Sequence, residues 1–232
     1  MQQNRSFLDS SSSSYGTLNG AQSIGQTDAT SRLLGKVLGI VSVAFALTAA
    51  GSYVSLSIPP GIALLVMLLN FGTLFAINAV RANPARQMTL LYAFAFFEGI
   101  GLGPTIQHYL RHGGSHLIET AALTTAIGMA MLGTVAYAVS VDYRKVQSIG
   151  AFFLIGVIVL SLATLFFHFV EPTTISWMIL AVFSVLTVGD FARVRAGGGG
   201  ATAAELALSI FLDGLNLFLA VLRIFGVRGG ND

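Results

Sequence analysis

Of the 232 residues, 54% are apolar and only 9% charged, with a formal net charge of +2. A water-soluble domain carries about a quarter of its residues as charged side chains, so a chain with a mean hydropathy of +0.78 has lipid as its main solvent; the small net charge says little about partners, and no nucleic acid is expected among them. The absence of cysteine excludes disulfides, thiolate metal sites and a thiol nucleophile.

Residues 1–33 are polar, include the serine run Ser10 to Ser14 and lack the apolar core of a secretory signal, so they read as a disordered cytosolic tail. Seven apolar runs follow, at about 34–57, 61–80, 88–110, 117–139, 148–170, 174–193 and 203–225. Each is near the ~20 residues that a helix needs to cross a ~30 Å hydrocarbon layer. Pro59-Pro60, Asn83-Pro84, Arg111-His112-Gly113-Gly114, Asp142 to Lys145, Glu171-Pro172 and Arg193 to Gly200 separate them. Unpaired strands do not survive in lipid, so the runs are expected to be helices. The expected architecture is an all-α membrane protein with a seven-helix domain over 34–226 and a short C-terminal tail over 227–232.

Orientation follows from the basic residues. With the N-terminus in the cytosol, Arg5, Arg32, Lys36, Arg81, Arg86, Arg144, Lys145, Arg193 and Arg195 lie inside, while Arg111, Arg223 and Arg228 lie outside. That asymmetry predicts a cytosolic N-terminus and an external C-terminus. A re-entrant seventh run would instead return the C-terminus to the cytosol. An uncleaved first span suits a cell inner membrane or an endoplasmic-reticulum-type membrane.

Two aspartates stand out. Asp213 sits near the middle of the last run, and Asp190 ends the run before it. A lone carboxylate inside a bilayer costs several kcal/mol, so intramembrane acids seek partners and mark functional positions. Two carboxylates that meet away from water cannot both ionise cheaply, and would share a proton or a cation. Measured from Gly198, Asp190 lies eight residues before the turn and Asp213 fifteen after it, a depth mismatch of roughly 10 Å at ~1.5 Å per residue. An extended glycine segment can absorb it. Asn216, one turn beyond Asp213, is placed to donate to its carboxylate, and Arg81 to reach Asp190. Separate satisfaction of each acid by backbone and water is the alternative.

Glu98 is a third acid, followed by Gly99, Gly101, Gly103 and Pro104. It reads either as a packing residue or as part of a cation path, and its glycines either kink the helix or admit a neighbouring backbone. His108, His112 and His116 recur at metal-ligand spacing, but Gly113-Gly114 interrupts them, and interfacial polar roles are favoured there and at His168. Gly35-Lys-Val-Leu-Gly39 and the small residues of Gly128 to Gly133 fit close helix contacts. A retinal protein would need a lysine in the last span, where none occurs. An intramembrane aspartyl protease would need flanking motifs of which only Val188-Gly189-Asp190 is an echo.

The segments Phe97-Glu98-Gly-Ile-Gly-Leu-Gly-Pro104, Gly128-Met-Ala-Met-Leu-Gly-Thr-Val-Ala-Tyr137 and Leu212-Asp213-Gly-Leu-Asn216-Leu-Phe-Leu-Ala-Val-Leu-Arg223-Ile resemble the transmembrane Bax inhibitor motif family over roughly residues 35–226. The resemblance implies a bundle with the seventh helix central and six wrapped around it, and a pH-sensitive calcium leak. Asp190 and Asp213 match the family's proton-sensing pair, with calcium bound there only transiently. It implies no cofactor; calcium and protons would be the cargo and signal, and the bilayer and a possible membrane-protein partner the surroundings. A non-conducting regulator that binds a membrane protease or a stress or cell-death partner is the alternative. Relatives commonly carry Gln or Thr after the first aspartate, whereas Phe191-Ala192 follow here.

Overall fold

The computed structural model describes residues 6–167 and 170–228, with side chains from residue 28 onward except at 165 and 228. His168 and Arg5 therefore lie outside the described residues, as does the side chain of Arg228. Among the described residues all regular structure is helical: α1 (Ser6–Val54), α2 (Pro60–Ala79), α3 (Pro84–Ala138), α4 (Tyr143–Phe167), α5 (Pro172–Arg195) and α6 (Ala203–Arg228), with short 3-10 turns at Ser55–Ser57 and Gly197–Gly200. Six are long and apolar enough to cross a membrane.

The helix starts follow from the proline breaks. Pro60, Pro84 and Pro172 each occupy the first helical position, where a missing N–H costs nothing and the fixed φ favours the helix. Asn83 caps α3 by accepting from the Arg86 N–H at 3.1 Å. The third and fourth apolar runs are joined in α3, whose 55 residues are interrupted at Gly114, with φ 70° and ψ 179°. A side chain is disfavoured at that φ, so the Gly113-Gly114 break marks the corner. Ile106 and Tyr109 from before it and Leu117 and Ile118 from after it pack round Val221 and Leu222 of α6. Phe94 and Ala136, far from the corner on either side, both join the core round Phe211 at the opposite end.

The glycines after Glu98 do not kink α3; its non-helical backbone is at Gly114. They admit neighbours instead. A Cβ on Gly99 would lie 2.1 Å from the Thr48 carbonyl oxygen of α1, and one on Gly51 would lie 2.1 Å from the Phe96 carbonyl oxygen of α3. Thr48 Oγ1 donates to the Ala95 carbonyl at 2.9 Å and Ser52 Oγ to that of Gly99 at 3.0 Å, interhelical bonds that backbone approach makes possible. Gly35, Gly39 and Gly128 have nothing within 4 Å of a built Cβ. The close contact expected at Gly35-x-x-x-Gly39 occurs instead about three turns further along α1, where Gly51 and Gly99 put a small residue on each helix at the crossing.

The last helix is the most enclosed: 56% of its spanning window is buried, against 11% for α4. α1, α3 and α5 pack directly on α6, while α2 leans on α3 and α4 on α5 as an outer layer. Phe211 of α6 is fully buried between Phe45 of α1 and Phe94 of α3, at centroid distances of 5.1 and 6.3 Å. Leu69, Phe75, Phe152 and Phe166 on the outer helices are exposed, as lipid-facing side chains are.

At one end of the bundle the breaks gather. Leu33 lies by Gly198, Arg81 donates to the Gly200 carbonyl, and Tyr143 lies by Gly199. Arg195 Nη1 donates to the carbonyls of Ala136 at 2.6 Å and Val139 at 2.7 Å, closing the C-terminus of α3 where carbonyls lack partners and cations are favoured. Arg195→Ala is expected to lower stability by about 2 kcal/mol, seen as a reduced melting temperature in detergent, with Arg195→Lys recovering part of the loss.

Candidate functional site

The connection between α5 and α6 sets the depth of both acids. Five residues of α5 follow Asp190 and ten of α6 precede Asp213, and residues 196–202 take up the difference. Gly197, Gly198, Gly199 and Gly200 all have positive φ, between 57° and 84°, which only glycine adopts at low cost four times in succession. The chain then runs extended through Ala201 and enters α6 at Ala203. The glycines form a tight 3-10 turn, not the extended segment expected of them, and only Ala201 beyond them is extended.

Asp190 and Asp213 are both buried, 4% and 5% exposed, and lie close enough to each other for their charges to interact. Gln147 of α4 donates its amide to Asp190 Oδ1. Ser209, one turn before Asp213, is also within reach of Asp190, and Arg193 is near enough for its charge to act on it. Thr187 faces Asp213, but its hydroxyl donates back to the Phe183 carbonyl at 2.7 Å. Asp213 Oδ2 is buried with no hydrogen-bond partner among the described residues. A buried carboxylate oxygen left unpaired is expensive; a proton held between the two acids removes that cost.

The supporting residues fall differently from expectation. Asn216 donates to the Leu212 carbonyl of its own helix at 2.8 Å, satisfying itself one turn back and leaving Asp213 to Asp190. Arg81 does not reach Asp190: its Nε lies 3.4 Å from Glu205 Oε1 and its Nη2 donates to the Gly200 carbonyl. Glu98 accepts from Asn70 Nδ2 of α2 at 3.1 Å, and Thr73 closes on Asn70. It faces the outer layer, separate from the aspartate pair. His108 and His112 stack at 4.4 Å with His116 beyond the Gly114 corner, and among the described residues no three His, Asp or Glu side chains gather as a metal site.

Sequence reasoning missed Gln147, Ser209 and Glu205. Ser209 was findable, since Glu205, Ser209 and Asp213 recur every four residues and so share one face of a helix. Gln147 carries no such signal, because only tertiary packing brings α4 to Asp190.

A long-helix bundle with an apolar exterior and a buried acidic pair at its core is the design of an integral membrane protein. The family profile "Inhibitor of apoptosis-promoting Bax1" matches residues 30–230, and the chain belongs to that Bax inhibitor-like family. It is 28% identical over 188 residues to an "Uncharacterized membrane protein" of Vibrio cholerae, covering 79% of this chain and 83% of the relative. It is 27% identical over 208 residues to "Uncharacterized protein PA2604" of Pseudomonas aeruginosa, covering 87% and 92%.

Proposed function

We propose that this chain is a pH-gated calcium leak of a bacterial inner membrane. The observation that carries the reading is the facing pair Asp190 and Asp213, with one carboxylate oxygen buried and unpaired. With one proton between them the carboxyls tie α5 to α6 by a charge-assisted hydrogen bond. When the proton leaves, like charges repel and either the helices part or a hard divalent cation takes the proton's place. Calcium takes about six to eight oxygens, more than the four that the two carboxylates supply, which suits a cation in passage.

The Gly114 corner, with both arms of α3 against the far end of α6, supports two crossings in α3 and seven in all. The clustering of Arg81, Arg193 and Arg195 at one end supports a cytosolic N-terminus and an external C-terminus. Glu98, apart from the pair, takes the role of a packing acid held by Asn70.

Purified protein in calcium-free liposomes tests the proposal. Calcium uptake that rises as pH increases is the expected result. Protein that is folded but takes up no calcium at any pH, while co-purifying with a membrane partner, would instead favour the non-conducting regulator.

A further inference from the structure

At the basic end a cleft of about 430 Å³ opens between the end of α2, the glycine turn and the first turns of α6; Asn78, Arg81, Arg193, Glu205, Ser209 and Leu212 are among its walls. Its α6 wall carries the four-residue ladder. Glu205 and Ser209 line the cleft one turn apart, and Asp213 follows one turn further along the same face of α6. Ser209 is also a neighbour of Asp190, so the cleft leads toward the buried pair.

Arg81 lies across the mouth. Glu205 holds its Nε at 3.4 Å and the Gly200 carbonyl holds Nη2 at 3.0 Å. Glu205 is itself fixed: Oε2 accepts from the Thr202 N–H at 2.9 Å, Thr202 Oγ1 accepts from the Glu205 N–H at 3.1 Å, and Thr202 Oγ1 donates to buried Gln87 at 2.9 Å. This is a capping box, so the carboxylate is presented to Arg81 from a rigid base. The arginine is 57% exposed and Glu205 16%. An ion pair this open to solvent is weak, which suits a latch that releases better than a strut.

We propose that Glu205 is a gating residue: its bridge to Arg81 closes an aqueous entry from the basic end to Ser209 and the aspartate pair. The inference rests on the reading that ions reach that pair, yet its test needs no ion flux. The chain has no cysteine, so a single Leu212→Cys reports how open the cleft is. In nanodiscs, the rate of its alkylation by a charged, water-soluble maleimide is measured with and without Glu205→Gln. Glutamine serves the capping box as glutamate does, so this variant removes the charge and keeps the helix start.

Alkylation faster by up to about fivefold is expected with Glu205→Gln, equally with Arg81→Gln, and no faster with both together. Unchanged rates in folded Glu205→Gln and Arg81→Gln proteins would overturn the inference. So would a rise only in Glu205→Ala, which loses the cap as well. Faster alkylation in a protein that takes up no calcium would sink the leak alone, whereas pH-dependent uptake with unchanged alkylation would sink the gate alone.

Discussion

Calcium uptake by Asp213→Asn protein is expected to be low and flat across the pH range over which the wild type responds. In the wild type, removal of the shared proton leaves two carboxylates face to face. Two unit charges about 4 Å apart repel by about 4 kcal/mol at an effective dielectric near 20, roughly a thousandfold bias toward separated helices. Asparagine keeps the shape and a donor for Asp190 but never adds the second charge, so α5 and α6 stay joined. The rising limb at high pH disappears, and what is lost is the response rather than the fold. Asp213→Leu serves as a contrast, since it removes the hydrogen bond as well as the charge and is expected to leak without regard to pH. Uptake into liposomes loaded with a calcium dye, one pH per sample, reads all three proteins.

The second large effect is on assembly of the bundle. Gly99→Ala is expected to destabilise the protein by about 3 kcal/mol, at the upper end of the overpacking range, because the new Cβ would sit 2.1 Å from the Thr48 carbonyl oxygen and 2.8 Å from its carbon. Backbone cannot swing aside as a side-chain tip does, so α1 must move off α3. That movement strains the Thr48 to Ala95 and Ser52 to Gly99 hydrogen bonds. Gly39→Ala provides the opposite sign: with nothing within 4 Å it gains helix propensity of about 0.5–1 kcal/mol. Melting temperatures in detergent should move in opposite directions, and equal shifts would remove the claim that this crossing holds α1 in place.

The fold was legible where breakers act locally. Pro60, Pro84 and Pro172 begin helices at the breaks marked by Pro59-Pro60, Asn83-Pro84 and Glu171-Pro172, since a proline fixes its own φ whatever surrounds it. The Gly113-Gly114 corner was equally visible. Its effect on helix continuity was less so, because the bend is taken up at one residue and the hydrogen-bonded turns run on to either side. Which glycines meet a neighbour was legible only in part: those after Glu98 were read as able to admit one, and Gly99 does. Gly35 and Gly39 have the spacing of a contact and face outward, while Gly51 and Gly99 make one through a crossing that only the assembled bundle defines.

The site divides in the same way. The cost of two acids in consecutive apolar runs pointed to Asp190 and Asp213, and the glycine turn that aligns their depths was visible beside them. Their supports were not. Arg81 has Glu205 nearer at hand than Asp190, and Asn216 is satisfied by its own helix. A side chain's choice among partners depends on distances that spacing along one helix does not encode. Phe191, which follows the first aspartate, is buried in the core beside Gly133. Gln147, on α4, supplies the amide that reaches Asp190 instead.

The central claim is that Asp190 and Asp213 act as one proton-sharing unit. A double-mutant cycle on the pH profile of calcium uptake tests it most directly, comparing wild type, Asp190→Asn, Asp213→Asn and the double variant in the same liposomes. Groups that work as a unit are not additive, so either single substitution should abolish the whole pH response and the second should change nothing further. If each single variant keeps part of the response and the two losses add in the double variant, the acids titrate independently and the shared proton is not the switch.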